Sequence, residues 1–348
     1  MSAQLDRFRR GATAAACLAL AGLAAPAAAA ELYAGKEITL VVGNDPGSGY
    51  DSYARLLARH MARHIPGAPV FVVRNMPGAG SIIAAQHLAN VAPKDGTTFG
   101  TLFPGALLEP LTGDASKARY DPAKFEYIGT ADSGTRLCLT TAASGVRTIE
   151  DARRAKVVMA GTAPGSSTTD YAWFMNALAG TKFEVVTGYQ GPGAILLAME
   201  RGEAAGVCAL DSATIASMRP TWIAEKKINL LVQAGLEENA ELAKAGAPPL
   251  WAFLKGQERA VAELIVSQQV FGRPFLAPPG VPAEPMRILR TAFMATMADP
   301  ALLEEARKMK LDINPKDGEA VAKVVRALYA APPDLVEKMR HALRPQGK

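Results

Sequence analysis

Four short apolar runs in this chain each end at a glycine-rich turn, and a helical pattern of apolar residues begins directly after each turn. The runs cover residues 38–42, 70–73, 157–160 and 183–186, and the turns cover residues 43–51, 74–81, 161–168 and 188–193. Such units are typical of a strand that leads into a helix. Glycine has no Cβ, so the backbone of the turn can approach a ligand and direct the unpaired N–H groups of the helix start at it. Because those N–H groups carry partial positive charge, the pattern indicates a site for a small anionic molecule.

The rest of the chain continues the alternation of strand and helix, which predicts an α/β fold with mostly parallel sheets. After residue 102 we expect an irregular stretch rich in glycine and proline, and at 148–151 a capping box that opens a short helix. Further strands are expected at 97–102, 127–130, 137–141, 207–210, 228–233 and 270–275, and a helical tail at 282–343. Two turns in each half imply two similar domains whose turns face one cleft, because ligands of open α/β sheets bind at the carboxyl ends of the strands.

The first 30 residues have the features of a secretory signal peptide. Arg7, Arg9 and Arg10 give a positive start, and residues 12–24 are apolar but too few to cross a bilayer. Residues 28–30, all alanine, supply the small-residue cleavage pattern. We therefore predict a signal peptide at 1–30, a mature chain that begins near Glu31, and export of the protein.

Composition argues against a nucleic-acid partner and against a further membrane span. The formal net charge is +5, and removal of residues 1–30, which hold three Arg and one Asp, would leave +3. This charge is scattered, without a basic run interleaved with aromatic residues, and no later stretch reaches about 18 apolar residues. The mature chain is longer than one core comfortably supports, so two domains are expected. Whether Cys138 and Cys208 pair in an oxidising compartment, or stay buried thiols, is open from the sequence.

The sequence lacks the usual catalytic signatures. It has no Gly-x-Ser-x-Gly elbow and no phosphate-binding loop that ends in Gly-Lys-Ser/Thr. Residues 78–83 begin like a dinucleotide fingerprint, but Ile83 stands where the third glycine belongs. His60 and His64 share one helix face without an evident third ligand, so we interpret them as half-buried helix residues. We therefore expect no catalytic residue, no metal site and no cofactor.

The hydroxyls and tyrosines of the four turns are the candidate ligand-binding groups. Hydroxyls can donate hydrogen bonds beside the free N–H groups, and Tyr50 and Tyr189 offer a flat apolar surface with a polar tip. The same serines and threonines could instead only cap helices, and it is their grouping over four turns that favours a site. The predicted ligand-binding residues are Gly47, Ser48, Gly49, Tyr50, Asp51, Asn75, Pro77, Gly78, Ala79, Gly80, Ser81, Thr162, Ser166, Ser167, Thr168 and Tyr189.

The turns also carry a family likeness in their order and spacing. PGSGYD at 46–51 and ARLL at 54–57 correspond to a Pro-Gly-Gly-Gly-x-Asp-like turn and an Ala-Arg-Leu-Leu helix. NMPGAG at 75–80, APKDGT at 92–97 and YQG at 189–191 correspond to three further family segments. Over nearly all of the mature chain, the sequence resembles the periplasmic receptors of tripartite tricarboxylate transporters, also called Bug-type solute-binding proteins.

The resemblance implies an α/β, two-domain periplasmic-binding-protein architecture of type II-like "Venus flytrap" form, which closes on a small carboxylate. Residues 31–129 with 270–348 are expected to form domain I, and residues 130–269 to form domain II. The implied partners are a small organic carboxylate and the membrane permease subunits of a tripartite tricarboxylate-type transporter. We expect a monomeric receptor in the periplasm, without a nucleic-acid partner.

The identity of the ligand, its number of carboxylates and its affinity stay open at this point. The family often has Arg or Lys at the position of Met76 and an acid at that of Ala205, and these apolar departures favour an organic acid with an apolar or aromatic body over citrate. Arg74 is expected to be the only cation near the turns, and since it alternates with the apolar residues of its strand, it could instead be a solvated charge that points away from the ligand. Two other functions stay open: an exported α/β enzyme that uses the turns as an oxyanion or phosphate site, and a ligand-binding receptor for a sensor kinase.

Overall fold

The computed structural model describes residues 32–113, 116 and 118–345, so the predicted signal peptide at 1–30 and the mature start at Glu31 lie outside the described residues. Among those that are described, no helix combines the length and the apolar character that a membrane crossing requires. The strands are β1 (Glu37–Val42), β2 (Val70–Asn75), β3 (Thr98–Thr101), β4 (Glu126–Thr130), β5 (Arg136–Thr141), β6 (Val157–Ala160), β7 (Phe183–Val186), β8 (Gly206–Asp211), β9 (Ile228–Ala234), β10 (Pro274–Ala277) and β11 (Lys316–Asp317).

The helices follow the strands in the expected alternation. They are α1 (Gly49–Met61), α2 (Ile82–Asn90), α3 (Pro104–Thr112), α4 (Ile149–Arg154), α5 (Ser167–Ala179), α6 (Pro192–Glu200), α7 (Ser212–Met218), α8 (Ala240–Lys244), α9 (Gly256–Val266), α10 (Ala283–Met297), α11 (Pro300–Met309), α12 (Gly318–Tyr329) and α13 (Pro333–Ala342). The tail is helical as expected, and its helices are separated near Pro300, Pro315 and Pro332.

The strands form two sheets, and the chain passes from one to the other twice. The six-stranded sheet has the order β11-β4-β10-β3-β1-β2, and the five-stranded sheet has the order β7-β6-β8-β5-β9. We call the first sheet with α1–α3 and α10–α12 the first lobe, and the second sheet with α4–α9 the second lobe. The last helix, α13, packs against α3 of the first lobe and against α5 and α9 of the second. The predicted domain limits, 129–130 and 269–270, lie close to the two passages between the sheets and stay a prediction.

Both sheets are mixed, which corrects the expectation of mostly parallel sheets. β1 pairs in parallel with β2 and β3, and β6 with β7 and β8. β10 is antiparallel to β3 and β4, β11 is antiparallel to β4, and β5 is antiparallel to β8 and β9. A parallel neighbour needs a crossover connection within its own sheet, whereas β5 and β10 each arrive from the other sheet.

Helix α3 lies in the stretch that the sequence interpretation took as irregular. Pro104 occupies the first turn of α3, where the missing N–H group costs nothing, and Pro110 lies in the last turn. The strand expected at 270–275 begins only at Pro274, because residues 267–271 form a 3-10 helix. The capping box of Thr148 and Asp151 is present at the start of α4, as predicted.

Helix α1 illustrates how the local sequence sets the turns beside the cleft. The Oγ of Ser48 accepts a hydrogen bond from the Asp51 N–H at 3.3 Å and so caps the helix. The buried face of α1 includes Tyr53, Leu56 and Leu57, whose spacing gives one apolar side. His60 lies on α1 and contacts Glu305, and His64 lies in the 3-10 turn that follows α1 and contacts Asp299, so both histidines pair with carboxylates of the first lobe.

A disulfide connects two strands of the second lobe, and one apolar core extends through both lobes. Cys138 of β5 and Cys208 of β8 form a disulfide between neighbouring strands, which answers the question that the sequence left open. Both belong to a buried cluster that also includes Leu107 of α3, Phe174 of α5 and Met339 of α13. This core therefore runs from one lobe into the other.

The backbones of the two lobes also touch at a pair of glycines. A Cβ placed on Gly105, in the first turn of α3, would lie 2.6 Å from the carbonyl oxygen of Gly165 and 2.7 Å from its Cα. Gly165 lies in the turn before α5 with a φ of +81°, which favours glycine. The approach of the lobes at this point therefore requires a residue without a side chain at position 105.

Candidate functional site

A cavity of about 390 Å³ lies between the lobes, and three helices begin at its wall. Helix α1 contributes residues 48–50, α5 contributes residues 166–168, and α6 contributes residues 191–193. The first N–H groups of a helix have no partner within that helix and carry the positive end of its dipole. N–H donors from both lobes therefore surround the cavity, an arrangement that suits an anion.

A carboxylate behind the wall fixes the turn that precedes α1. The Asp51 Oδ2 accepts hydrogen bonds from the Gly47 N–H at 2.8 Å and from Arg55 Nε at 2.9 Å, and its Oδ1 accepts one from Asn75 Nδ2 at 2.9 Å. Burial acts to raise the pKa of Asp51, but Arg55, the Gly47 N–H and Asn75 outweigh it and hold that pKa below its usual value. Gly47, Asp51 and Asn75 do not line the cavity, so they shape the turn that does.

The turn before α5 is shaped by its own hydroxyls. Thr162 donates its hydroxyl to Ser166 Oγ at 2.6 Å and its N–H to Thr168 Oγ1 at 3.0 Å, while the Ser166 hydroxyl donates to the Ala163 carbonyl at 2.6 Å. These hydroxyls are engaged with one another and with the backbone of the turn, and the Ser166 side chain makes no capping hydrogen bond to α5. Ser167 also lines the cavity and is half-buried, and its hydroxyl stays available to a ligand.

Tyr189 lines the same cavity from the second lobe, opposite the start of α1. Its ring packs against the apolar core of the second lobe and is half-buried. From the first lobe, the Tyr50 ring meets the Phe103 ring edge-on with the centroids 4.8 Å apart. Aromatic rings from both lobes thus supply apolar surface beside the N–H donors.

A buried charged cluster, which the sequence interpretation did not identify, forms another part of the wall. Arg136, at the start of β5, donates from Nη2 to Asp132 Oδ2 at 2.8 Å and from Nη1 to Asp211. Arg273 lies just before β10, with its guanidinium carbon 4.5 Å from the centroid of the Tyr50 ring. Arg136, Asp211 and Arg273 all line the cavity. The two arginines lie where the chain passes between the lobes.

Charge within this cluster is largely balanced. Burial acts to raise the pKa of Asp132, but the Arg136 and Arg273 guanidiniums outweigh it and hold that pKa below its usual value. Burial raises the pKa of Tyr50 although Arg273 opposes the shift, so the phenol stays neutral and donates to the Gly272 carbonyl at 3.1 Å. A bound anion would therefore rely on the helix starts as well as on the arginines.

Arg74 does not line this wall and lies exposed at the edge of the sheet, as one of the two sequence interpretations had it. The expectation that Arg74 is the only cation near the turns is wrong, because Arg136 and Arg273 line the cavity. Arg74 lies 3.6 Å from Glu37, with 65% of its side chain exposed, and lines neither this cavity nor the second one described below. Met76 and Ala205 also line neither cavity and pack against the core. The preference for an apolar acid that was based on these two residues therefore has no structural basis.

The turn before α2 opens into a second cavity of about 760 Å³. Apart from Gly47, Asp51 and Asn75, the predicted ligand-binding residues line one or the other of these two cavities. The first cavity is lined by Ser48, Gly49, Tyr50, Thr162, Ser166, Ser167, Thr168 and Tyr189. The second is lined by Pro77, Gly78, Ala79, Gly80 and Ser81. Within the described part of the chain, no group of three His, Cys, Asp or Glu residues is placed to hold a metal ion.

Asp170, in the first turn of α5, lines the second cavity, and we expect it to make the stability of the protein depend on pH. Its carboxylate accepts the Gly165 N–H at 3.0 Å, and burial raises the pKa of Asp170 to about 7. The folded protein therefore holds a proton that an unfolded aspartate loses near pH 4, and stability falls as the pH rises towards 7. We expect Asp170→Asn to be more stable than wild type by about 2–4 kcal/mol at pH 8 and nearly equal at pH 4.

Urea unfolding at both pH values measures this difference. Asp334→Asn is the control, because Asp334 is an exposed aspartate in the first turn of α13. If the difference in the free energy of unfolding between Asp170→Asn and wild type is the same at pH 4 and pH 8, the pKa of Asp170 is not raised.

Comparisons with known proteins agree with this architecture. A family model described as tripartite tricarboxylate transporter family receptor matches residues 53–340. The UPF0065 protein in the gbd 5'region of Cupriavidus necator is 37% identical over 121 residues, which are 34% of this chain and 35% of that protein. The chain therefore matches about a third of the length of this curated relative.

Solved structures show the same fold at low sequence identity. A TctC solute-binding protein from Polaromonas has a TM-score of 0.63 at 18% identity, covering 87% of this chain and 98% of that one. Two proteins from Rhodopseudomonas palustris, MatC with bound malate and Rpa4515 with adipate, each have a TM-score of 0.62 at 20% identity and cover 87% of this chain, with 99% and 97% of their own chains matched. The two-lobed α/β architecture is thus that of periplasmic solute-binding receptors, and the chain belongs to the tripartite tricarboxylate transporter receptor family.

Proposed function

We propose that this protein is a periplasmic receptor that captures a small organic carboxylate in the cavity between its lobes and delivers it to a tripartite tricarboxylate-type membrane transporter. The observation that carries this proposal is the convergence of three helix starts, from both lobes, on one cavity of about 390 Å³. Binding and release complete the proposed role, without a chemical step.

The donors at the cavity match what a desolvated carboxylate needs. Closing the lobes over an anion removes its water, so each carboxylate oxygen must meet hydrogen-bond donors. The first N–H groups of α1 and α5, the Gly193 N–H of α6, whose first residue Pro192 has no N–H, and the hydroxyl of Ser167 supply such donors from several directions. The rings of Tyr50, Tyr53 and Phe103, which also line the cavity, supply the apolar surface that the carbon chain of an organic acid would contact.

The relatives support the same ligand class. The two Rhodopseudomonas palustris proteins hold malate and adipate, both of which are small dicarboxylates. The family description supports the transporter as partner and the periplasm as location. A receptor that serves a sensor kinase would use the same cavity, so it is distinguished by a cellular experiment below.

Isothermal titration of the purified protein with malate, adipate, citrate and benzoate tests the proposed binding. We expect at least one of the small dicarboxylates to bind. At a hundred times its dissociation constant, that acid should add about 2.7 kcal/mol to the free energy of unfolding in a parallel urea experiment. If none of these acids produces heat or a shift in stability, the ligand is not a small carboxylate.

Delivery is tested in cells with the acid that binds. Deleting the gene should abolish uptake of the radiolabelled acid, and the full-length gene should restore it. Normal uptake together with a lost transcriptional response to the acid would identify a sensor-kinase receptor instead.

A further inference from the structure

The two cavities of this protein share a wall. Asn44, Asp45 and Phe103 from the first lobe and Ala163 from the second line both cavities. Phe103 is the only large apolar side chain in this shared set. The size of the chamber available to a ligand bound at the helix starts therefore depends on whether this wall is in place.

Two contacts hold Phe103 in that wall. Its ring meets the Tyr50 ring edge-on at 4.8 Å, and Tyr50 is itself fixed by its hydrogen bond to the Gly272 carbonyl at 3.1 Å. The Phe103 N–H donates to Ser81 Oγ at 3.0 Å, and the Ser81 hydroxyl donates to the Gly43 carbonyl at 2.9 Å. Ring and backbone are thus both anchored within the first lobe.

The two lobes contact each other closely at the residues that follow Phe103. Gly105 approaches the backbone of Gly165 so closely that a Cβ on Gly105 would lie 2.6 Å from the Gly165 carbonyl oxygen. The carbonyl of Phe103 accepts the Ala106 N–H at 3.0 Å, which starts α3. Phe103 therefore lies at the point where the first lobe meets the second.

The chamber beyond the wall is large enough to take a longer acid. It has a volume of about 760 Å³ and is lined by Trp173 and by Arg340 among others. Arg340 donates from Nη2 to the Leu111 carbonyl at 2.7 Å and from Nη1 to the Glu337 carboxylate, whereas its buried Nε has no hydrogen-bond partner among the described residues. The chamber is lined by arginines, Arg340 and Arg344, and by the carboxyl groups of Glu109 and Asp170, so it has no strong positive charge and would favour the methylene chain of a longer acid over a further carboxylate.

We infer that Phe103 sets an upper limit to the chain length of the acid that this receptor binds, by separating the chamber at the helix starts from the larger second chamber. This inference rests on the proposed function and adds the class of acid that is preferred, namely short dicarboxylates. Removing the Phe103 ring joins the chambers, and a longer methylene chain then gains buried apolar surface, with about a fourfold gain in affinity for each buried CH2 group.

Isothermal titration with straight-chain dicarboxylates, from succinate with four carbons to sebacate with ten, tests the inference on wild type, Phe103→Ala and Phe103→Leu. In wild type we expect the affinity to fall steeply between the short and the long acids. In Phe103→Ala the ratio of the two dissociation constants should shift by at least tenfold towards sebacate. Phe103→Leu should shift in the same direction by a smaller factor, and it provides the readout if the alanine variant does not fold.

Phe71→Ala is the matched control. Phe71 is also half-buried, has one edge-on ring contact, with Phe99 at 6.0 Å, and lines neither cavity. For Phe71→Ala, the ratio of the dissociation constants for succinate and sebacate should equal that of wild type within threefold. Wild type that binds sebacate as tightly as succinate, or a Phe103 variant with an unchanged ratio, would overturn the inference but leave carboxylate binding intact. Wild type that binds none of these acids would instead overturn the proposed function.

Discussion

Arg136→Met is expected to lower the free energy of unfolding by about 3–5 kcal/mol at pH 7. Arg136 has only 4% of its side chain exposed and pairs with both Asp132 and Asp211. Methionine fills much of the same space but removes the cation that pairs with both buried carboxylates, and Arg273, which acts on Asp132, does not replace its hydrogen bonds. The loss therefore comes from unpaired charge and not from a cavity.

The effect of this substitution should depend on pH in a defined direction. The pKa of Asp132 is lowered in the folded protein by Arg136 and Arg273, against the effect of burial. Its ion pairs therefore contribute stability above about pH 4, the usual pKa of an unfolded aspartate, and that contribution is lost as the pH falls further. In Arg136→Met the carboxylates can take up protons. The difference in the free energy of unfolding between this variant and wild type should therefore become smaller as the pH is lowered.

Urea unfolding, followed by both fluorescence and circular dichroism, measures the two free energies. Arg326→Met is the control, since Arg326 pairs with Glu319 at 2.8 Å on the surface, where both side chains are more than half exposed. The control should cost less than about 1 kcal/mol. Equal losses in the two variants would contradict the buried ion-pair cluster.

The local patterns of the sequence were sufficient to predict most elements and eight of the residues that line the cavity between the lobes. An apolar β-branched run followed by glycine and serine is a short-range signal, and it predicted the starts of α1 and α5, where Ser48 and Ser166 occupy the N-cap positions. These local patterns also correctly indicated which turns are rich in hydroxyls. The family likeness supplied the order in which the turns occur and hence the two-lobed architecture.

Other parts of the site depend on long-range packing, which local patterns do not report. Arg136 begins β5 and Arg273 lies just before β10, and these two segments approach each other only where the chain passes between the lobes. Both follow the predicted domain limits within seven residues, and charged residues at such passages are a signal that could have identified them. Helix α3 was missed because Pro104 and Pro110 read as helix breakers, although each lies in a terminal turn.

The division of the predicted residues between two cavities was also not evident from sequence. The turn before α2 has the same composition as the others, but Phe103 and Ala163 form part of a wall between it and the first cavity. Turn chemistry indicates the kind of ligand that we propose, whereas the packing of α3 against the second lobe determines which turns meet.

Gly49 allows one N–H donor of the cavity to be removed without changing the helix. It is the first residue of α1 and lines the cavity, and nothing lies within 4 Å of a Cβ built on it. Proline is favoured at this helical position, and Ser48 already has the extended backbone, with φ −67° and ψ 164°, that a following proline requires. Gly49→Pro therefore deletes the N–H group, while Gly49→Ala keeps it and adds a similar small amount of bulk.

Isothermal titration of these two variants with the best-binding dicarboxylate tests most directly whether the helix starts hold the anion. A hydrogen bond to a charged group is worth about 1.5–3 kcal/mol, so Gly49→Pro should raise the dissociation constant by about 10- to 100-fold. Gly49→Ala should stay within threefold of wild type, and both unliganded variants should melt no lower than wild type. Binding by Gly49→Pro that is as tight as binding by Gly49→Ala would contradict the assignment of the carboxylate to the helix starts of this cavity.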